Sequence, residues 1–339
     1  LTRLPAEWEP QQGVLLSWPT RSTDWATNLI EAENSYLSLI SAICRFETAH
    51  ICVKEKETCT HVMQRLQEND IDMDNIVLHT LPYDDTWTRD YGPITVYRDS
   101  KPVWLNFRFN AWGSKYPHVQ DDQLNRGLHE NVSFNALELI DIDFVLEGGS
   151  IDCDGNGRLL TTTRCLLSQT RNPDMDKSAV ENQLRESLGV NRILWLEHGQ
   201  LEGDDTDAHI DTLARFCSAD TIAYTQCTDP NDSHAESLNQ MQQELYDMRQ
   251  LNGEPYRLIP LPLPTPCYND QGQRLPANYV NFLIINGAVL LPVYDVETDD
   301  ISRQQVGMAF PNHEIIDVPS RALLEQYGSL HCVTMHLPA

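Results

Sequence analysis

Hydrophobic and polar positions along the chain fall into a short order that repeats. Ile94 to Tyr97 and Val103 to Phe109 read as two strands around an Asp99-Ser100 turn. A helix is predicted from Asp122 to Leu139, then a strand near Ile142 to Leu146. The order recurs with strands at Arg158 to Thr163 and Cys165 to Ser168, a helix from Lys177 to Leu188 and a strand at Ile193 to Leu196. It recurs again with Thr212 to Cys217, Thr221 to Thr225, a helix from Ala235 to Leu251 and Tyr256 to Pro260. In the clearest copy, Tyr279 to Ile285 and Ala288 to Tyr294 flank Asn286-Gly287, a pair suited to a type I′ hairpin, where both positions take φ > 0. A helix from Ile301 to Ala309 and a strand from Glu314 to Val318 complete that copy. The opening segment fits more loosely: Val14 to Trp18, an amphipathic helix through Leu29, Glu33, Tyr36, Leu37 and Ile40, then Ile51 to Val53.

About five strand-strand-helix-strand units of similar size predict a radially repeated α/β fold. The same alternation also fits a doubly wound open sheet. No Gly/Ser linker interrupts the chain, and a length of 339 residues allows one large domain or two.

Composition narrows the classes. Hydrophobic residues make up 41 %, enough for a substantial core. No apolar run approaches the roughly 20 residues that span a bilayer, so no membrane contact is expected. The opening residues Leu1-Thr2-Arg3-Leu4-Pro5 carry no apolar signal-peptide core. Nine cysteines without CxxC spacing suit a reducing cytoplasm better than a disulfide framework. With 24 basic against 50 acidic residues, net charge −26, the chain lacks the basic stripe that nucleic acid requires. Such acidity is either a solvated surface or a field that attracts a small cation, and composition does not separate the two.

Candidate chemistry lies at matching places in the units. Asp90, Glu147, and the pair His209 and Asp211 each precede the first strand of a unit, and Cys332 follows the last element. Equivalent segments of a radial repeat converge on its axis, so these distant residues could share one pocket. The loop Asp84-Asp85-Thr86-Trp87-Thr88-Arg89-Asp90-Tyr91-Gly92-Pro93 ends in a Gly-Pro exit and combines carboxylates, an aromatic ring and an arginine. Carboxylates pair with a planar guanidinium and Trp87 offers it a face; alternatively the loop is a surface turn whose Trp covers core. His209-x-Asp211 at a strand start would put both side chains on one face, with Glu147 near enough to favour the charged imidazole. Cys332, in a loop after Gly328, is the candidate nucleophile; the other cysteines lie in apolar runs and read as packing. The set suits a thiolate attacking a guanidinium carbon held between carboxylates.

Zinc is the rival for His331, Cys332, His336, His209 and Asp211, but no HExxH or paired-Cys spacing supports it, and no metal is expected. No GxGxxG, Walker A or GxSxG sequence is present, and no cofactor is expected.

Leu4-Pro5-Ala6-Glu7-Trp8-Glu9-Pro10, Trp87-x-Arg89-Asp90-x-Gly92-Pro93, Phe109-Asn110-Ala111-Trp112-Gly113, Glu147-Gly148-Gly149, Leu160-Thr161-Thr162, Arg171-Asn172-Pro173, Asp204-Asp205-Thr206-Asp207-x-His209-x-Asp211, Asn278-Tyr279-x-Asn281-Phe282 and His331-Cys332-x-Thr334 together resemble the agmatine deiminase family, which groups with bacterial peptidylarginine deiminases. The resemblance implies a single catalytic domain over residues 1–339, a five-bladed α/β propeller (pentein) of pseudo-symmetric strand-strand-helix-strand units. It implies hydrolysis of agmatine to N-carbamoylputrescine and ammonia without a cofactor. Cys332 would attack and form an amidino-cysteine, His209 would serve as acid and then base, Asp90 and Asp211 would hold the guanidinium, and Glu147 would support His209. Trp87, Arg89, Asp84, Asp204 and Asp205 are the expected substrate contacts. Some relatives form dimers, so a homodimer is an expectation of the same kind. The chain departs from the family at Ala208, where glycine is common, at Asp205, at Gly328-Ser329-Leu330 and at Met335-His336, loops that should meet the far end of the substrate. Two alternatives stay open: deimination of free or peptidyl arginine, and non-catalytic binding of a guanidinium or polyamine.

Overall fold

The computed structural model describes residues 1–130 and 133–339. Among them the strands form five small mixed sheets in an α/β arrangement, each with an antiparallel pair and a parallel neighbour. A parallel neighbour needs a crossover, and helices supply most of them. Ile94–Arg98 and Lys101–Arg108 pair antiparallel, and Glu138–Val145 adds in parallel. Ile151–Cys153, Arg158–Thr162 and Arg192–Leu196 repeat that order. So do Ala214–Ser218, Thr221–Gln226 and Arg257–Pro262, and then Leu283–Ile285, Ala288–Val293 and Glu314–Pro319. The remaining sheet joins the two ends of the chain: Met335–Pro338 pairs antiparallel with Gln11–Ser17, followed in parallel by Thr48–Val53 and Ile76–Thr80.

The crossover helices carry the expected signals. Leu29–Cys44 buries Ala32, Tyr36, Ile40 and Ile43 along one stripe. Lys177–Leu188 is capped by Asp176, whose carboxylate accepts from Ala179 N at 2.9 Å, and stops at left-handed Gly189. Its Val180, Leu184 and Leu188 face the core. No helix among the described residues is long and apolar enough to cross a membrane.

Four expectations need correction. The helix predicted over 122–139 is a turn at Asp121–Gln123 and a helix over Leu124–His129 only, with a strand from Glu138; its positions 131 and 132 lie outside the described residues. Phe134 is buried against His50, His79 and Trp104, which takes the chain off the helical path, so tertiary packing overrides propensity. Cys165 to Ser168 is not a strand: Thr163–Leu166 is one helical turn capped by Thr162 Oγ1, and the true hairpin partner is Ile151–Cys153. The turn at Asn286-Gly287 is not type I′, because only Gly287 has positive φ (77°). Asn286 is held instead by paired hydrogen bonds with the backbone of Gln11. Both positions are left-handed at Asp99-Ser100 (48° and 66°). Finally, the pattern of residues gave no warning of the helix Lys56–Glu68 or the strands Ile76–Thr80, Thr2–Arg3 and Met335–Pro338.

One regularity positions the site. The first strand of each antiparallel pair, at Ile94, Ile151, Ala214, Leu283 and Met335, is entered from a short irregular segment. Asp90, Glu147, Asp211, Asn281 and Cys332 each lie within four residues of those entries.

Candidate active site

Asp90 sits on the one-turn helix Thr88–Tyr91, closed by Gly92 N donating to Thr88 O at 2.8 Å. Its Oδ1 accepts from Gly149 N and its Oδ2 from Trp112 Nε1, both at 2.9 Å. Burial raises its pKa to about 6, although the charge on His209 pulls the other way. Neighbouring helical residues point about 100° apart. Arg89 accordingly turns away from Asp90, with Nε donating to His331 O at 3.3 Å and Nη1 lying 2.9 Å from His336 Nδ1.

Glu147 enters Gly148–Ser150 fully buried, with Oε1 accepting from Arg171 Nε at 2.7 Å and Oε2 without a hydrogen-bond partner. Both glycines are required by close approach. A Cβ at Gly148 would overlap Arg89 O, and one at Gly149 would lie 2.7 Å from Asp90 Oδ1, 2.7 Å from His209 Nδ1 and 3.0 Å from Asp211 Oδ2. Three candidate side chains thus meet over a single missing methyl.

His209 and Asp211 are not on a strand: Ile210–Thr212 is a 3-10 turn with His209 as its N-cap, and the strand begins at Ala214. They converge through that turn. The preceding loop is shaped by Asp204, whose carboxylate accepts from Thr206 N, Thr206 Oγ1 and Ala208 N. Asp207 and Ala208 both have positive φ (69° and 66°), a conformation that glycine adopts more readily. Burial opposes charge on His209, but Asp90, 3.6 Å from Nδ1, together with Cys165 and Glu147 outweighs it and lifts the pKa well above the usual imidazole value.

Cys332 Sγ lies 3.4 Å from Asn281 Oδ1 and 3.8 Å from Asp211 Oδ2. Asn281 ties the two loops together, accepting from His331 N at 2.9 Å and donating to Asp211 O at 3.1 Å. Burial, then the Asp211 and Asp90 carboxylates, hold the thiol well above its ordinary pKa. A cation between those carboxylates would remove that opposition.

A narrow cleft that opens to solvent lies over Cys332. Trp87, Trp112 and Tyr116 provide aromatic walls, and Asp85, Asp90 and Asp205 provide carboxylates. No lysine or arginine side chain lines it among the described residues. Of the expected contacts, Trp87 and Asp205 reach the cleft, with Asp205 accepting from Tyr116 OH at 2.8 Å. Arg89 does not, and Asp84 instead accepts from Gln120 N at 2.7 Å. Asp204 is occupied by its own loop. The structure adds residues that the candidate set lacked. Trp112 and Arg171 stood inside the quoted motifs without a chemical label, and Asn281 occupies the fourth strand entry, ahead of Leu283. Cys165, read as packing, lies with Glu147 and His209 in the one group among the described residues whose side chains are spaced for a metal. His331, placed in the rival zinc set, has each ring nitrogen against a carboxylate.

The profile of the Porphyromonas-type peptidyl-arginine deiminase family matches residues 3–338. The chain belongs to this family. Agmatine deiminase of Pseudomonas aeruginosa is 33 % identical over 360 residues, covering 99 % of this chain and 95 % of that protein. A solved structure of C. jejuni agmatine deiminase with substrate bound superposes with a TM-score of 0.92 at 36 % identity, over 100 % of this chain and 97 % of that one. Agmatine deiminase of Enterococcus faecalis gives 0.89 at 29 % identity, over 99 % and 96 %. The five-sheet α/β fold of this family member is therefore the fold of those deiminases.

Proposed function

We propose that this protein hydrolyses agmatine to N-carbamoylputrescine and ammonia. The observation that carries the reading is the cleft itself: carboxylates and aromatic faces around a thiol, with no cation to receive a carboxylate. Agmatine ends in an ammonium, which Asp85 and Asp205 can take, whereas free arginine would bring an anion into an acidic pocket. Burial leaves Asp85 with a pKa of about 7, and a bound ammonium would hold it ionised.

The guanidinium lies between Asp90 and Asp211 and neutralises the carboxylates that keep Cys332 protonated. As Cys332 gives up its proton to solvent, the thiolate attacks the guanidinium carbon, forming a C–S bond and a neutral tetrahedral adduct. His209, held charged, gives its proton to the departing nitrogen as the C–N bond breaks, leaving an amidino-cysteine and ammonia. The same imidazole, now neutral, takes a proton from water, whose oxygen attacks that carbon. As the C–S bond breaks, the new hydroxyl gives its proton to the departing sulfur, which releases the ureido product and restores the Cys332 thiol. Glu147, anchored by Arg171, supports the charged imidazole.

We further read the chain as one catalytic unit in which the five sheets are blades of a pseudo-symmetric propeller and the five strand entries face its axis. Nine free thiols suit a cytoplasmic location. The test is ureido product formation from agmatine, arginine and an arginyl peptide assayed in parallel. Preferred turnover of agmatine is expected, with Cys332→Ala reducing turnover by more than about a thousandfold while agmatine still raises the melting temperature. Full activity in Cys332→Ala, or agmatine turned over no better than arginine, removes the assignment.

A further inference from the structure

The mechanism uses Asp211 and Cys332 but leaves unexplained the residue between their loops. His331 is buried, with Nδ1 2.8 Å from Asp211 Oδ2 and Nε2 2.9 Å from Glu7 Oε2. Glu7 is itself fixed: its Oε1 accepts from Ile284 N at 2.9 Å, and Arg215 Nη2 lies 2.8 Å from its Oε2. Other charged or titratable groups facing this cluster include Arg89, 3.8 Å from Glu7 Oε2, His336, 3.9 Å from it, Cys332, whose Sγ lies 3.8 Å from Asp211 Oδ2, and His209, whose charge acts on Asp211.

Hydrogen-bond counting constrains the cluster. An ionised carboxylate only accepts, and a neutral imidazole has a single N–H. Both short contacts are therefore satisfied only when His331 is an imidazolium or when one of the two carboxyls carries the extra proton. Burial and the guanidinium groups of Arg215 and Arg89 lower the His331 pKa, against Glu7 and Asp211, which favour the imidazolium. A histidine that merely filled core would need one partner, not an acid on each side. The consequence reaches Cys332 through Asp211, whose Oδ2 lies 3.8 Å from Sγ. Its Oδ2 is taken by His331, while its Oδ1 is buried without a hydrogen-bond partner. The clamp thus leaves one oxygen for the incoming cation.

We propose that His331, backed by Glu7, is a positioning residue for the deimination: its Nδ1–H grips Asp211 Oδ2, so that Oδ1 is presented to the substrate guanidinium in a fixed orientation. This rests on the function proposed above and adds to it a residue that touches neither substrate nor the reacting atoms.

Two isosteric variants separate positioning from packing. In His331→Asn the side-chain amide replaces Nδ1 and can still donate to Asp211; in His331→Gln it replaces Nε2 and can donate only to Glu7. The expected result with agmatine is a loss of kcat/KM of roughly 100-fold in His331→Gln, with a raised KM, against less than about tenfold in His331→Asn. Equal losses in the two variants, or the reverse order, would overturn the proposal. Should both variants fail to fold, NMR of wild-type protein labelled with 15N-histidine decides: a proton on His331 Nδ1 is expected at neutral pH, and an unprotonated Nδ1 overturns the clamp. Because the resonance is read without turnover, wild-type protein inactive on agmatine would sink the functional reading and leave the clamp to be judged separately.

Discussion

The backbone N–H of Gly149 donates to Oδ1 of Asp90 at 2.9 Å, and the Gly149 Cα stands where any Cβ would press on Asp90, His209 and Asp211 together. Gly149→Ala should therefore displace the two carboxylates and the imidazole, to which the proposed mechanism gives substrate binding and acid–base work, at once. Misplacement of about 1 Å typically costs around 100-fold in rate, and a loss of at least that size in kcat is expected from steady-state kinetics. Circular dichroism should stay native. Wild-type kcat in this variant would mean that the three side chains need not be held so tightly.

Gly328 carries the ring of Trp87 against its Cα, and a Cβ there would overlap the indole. Trp87 also packs on Trp25, with ring centroids 5.7 Å apart, so it can be pushed only toward the cleft or out of it. Gly328→Ala should raise KM for agmatine by roughly tenfold while changing kcat less, since the aromatic wall acts on binding. An unchanged KM would show that this wall is not used.

Arg171 and Glu147 form an ion pair closed to solvent, and the guanidinium also donates to Trp112 O and Thr206 O. Removing one partner leaves the other charge stranded, at a cost of about 3–5 kcal/mol. Arg171→Ala should lose stability of that order in urea unfolding, and activity with it, as Glu147 is freed from its place beside His209. Arg171→Lys keeps the charge without the planar fork and should fall between.

Asp90 has its pKa raised to about 6, chiefly by burial. A raised carboxylate is protonated below that value, and a protonated Asp90 cannot pair with a guanidinium. Since kcat/KM reports ionisations of the free enzyme, it should fall as pH drops through about 6, roughly tenfold per unit further down. Asp90→Asn should lack this acidic limb and have low activity throughout. A wild-type profile flat from pH 7 to 5 would show that Asp90 does not bind the cation.

Most of the site was legible because strand entries are marked by residues with chemical character: Gly92-Pro93 after Asp90, Gly148-Gly149 after Glu147, and the His209-x-Asp211 spacing. Asn281 occupies the same place ahead of Leu283, but an amide among apolar residues carries no such mark. Arg89 was read as a substrate contact from its company in an acidic loop, whereas one helical turn sends it away from Asp90 and toward Glu7. Asp204 shows the same limit, because its partners are donors of its own loop, set by backbone conformation. In the fold, the helix–strand alternation survived, but Thr2–Arg3 and Met335–Pro338 are too short to show a period. The burial of Phe134, which ends the helix at His129, depends on rings from distant segments.

Met335–Pro338 locks onto Gln11–Ser17 just three residues after the Cys332 sulfur, so the proposed nucleophile is placed by pairing between two segments far apart in sequence. A chain clipped by a protease ahead of residue 332 would keep Asp90, Glu147, His209 and Asp211 but lose the thiol that the proposed mechanism needs. On that mechanism such a fragment would be chemically silent toward agmatine.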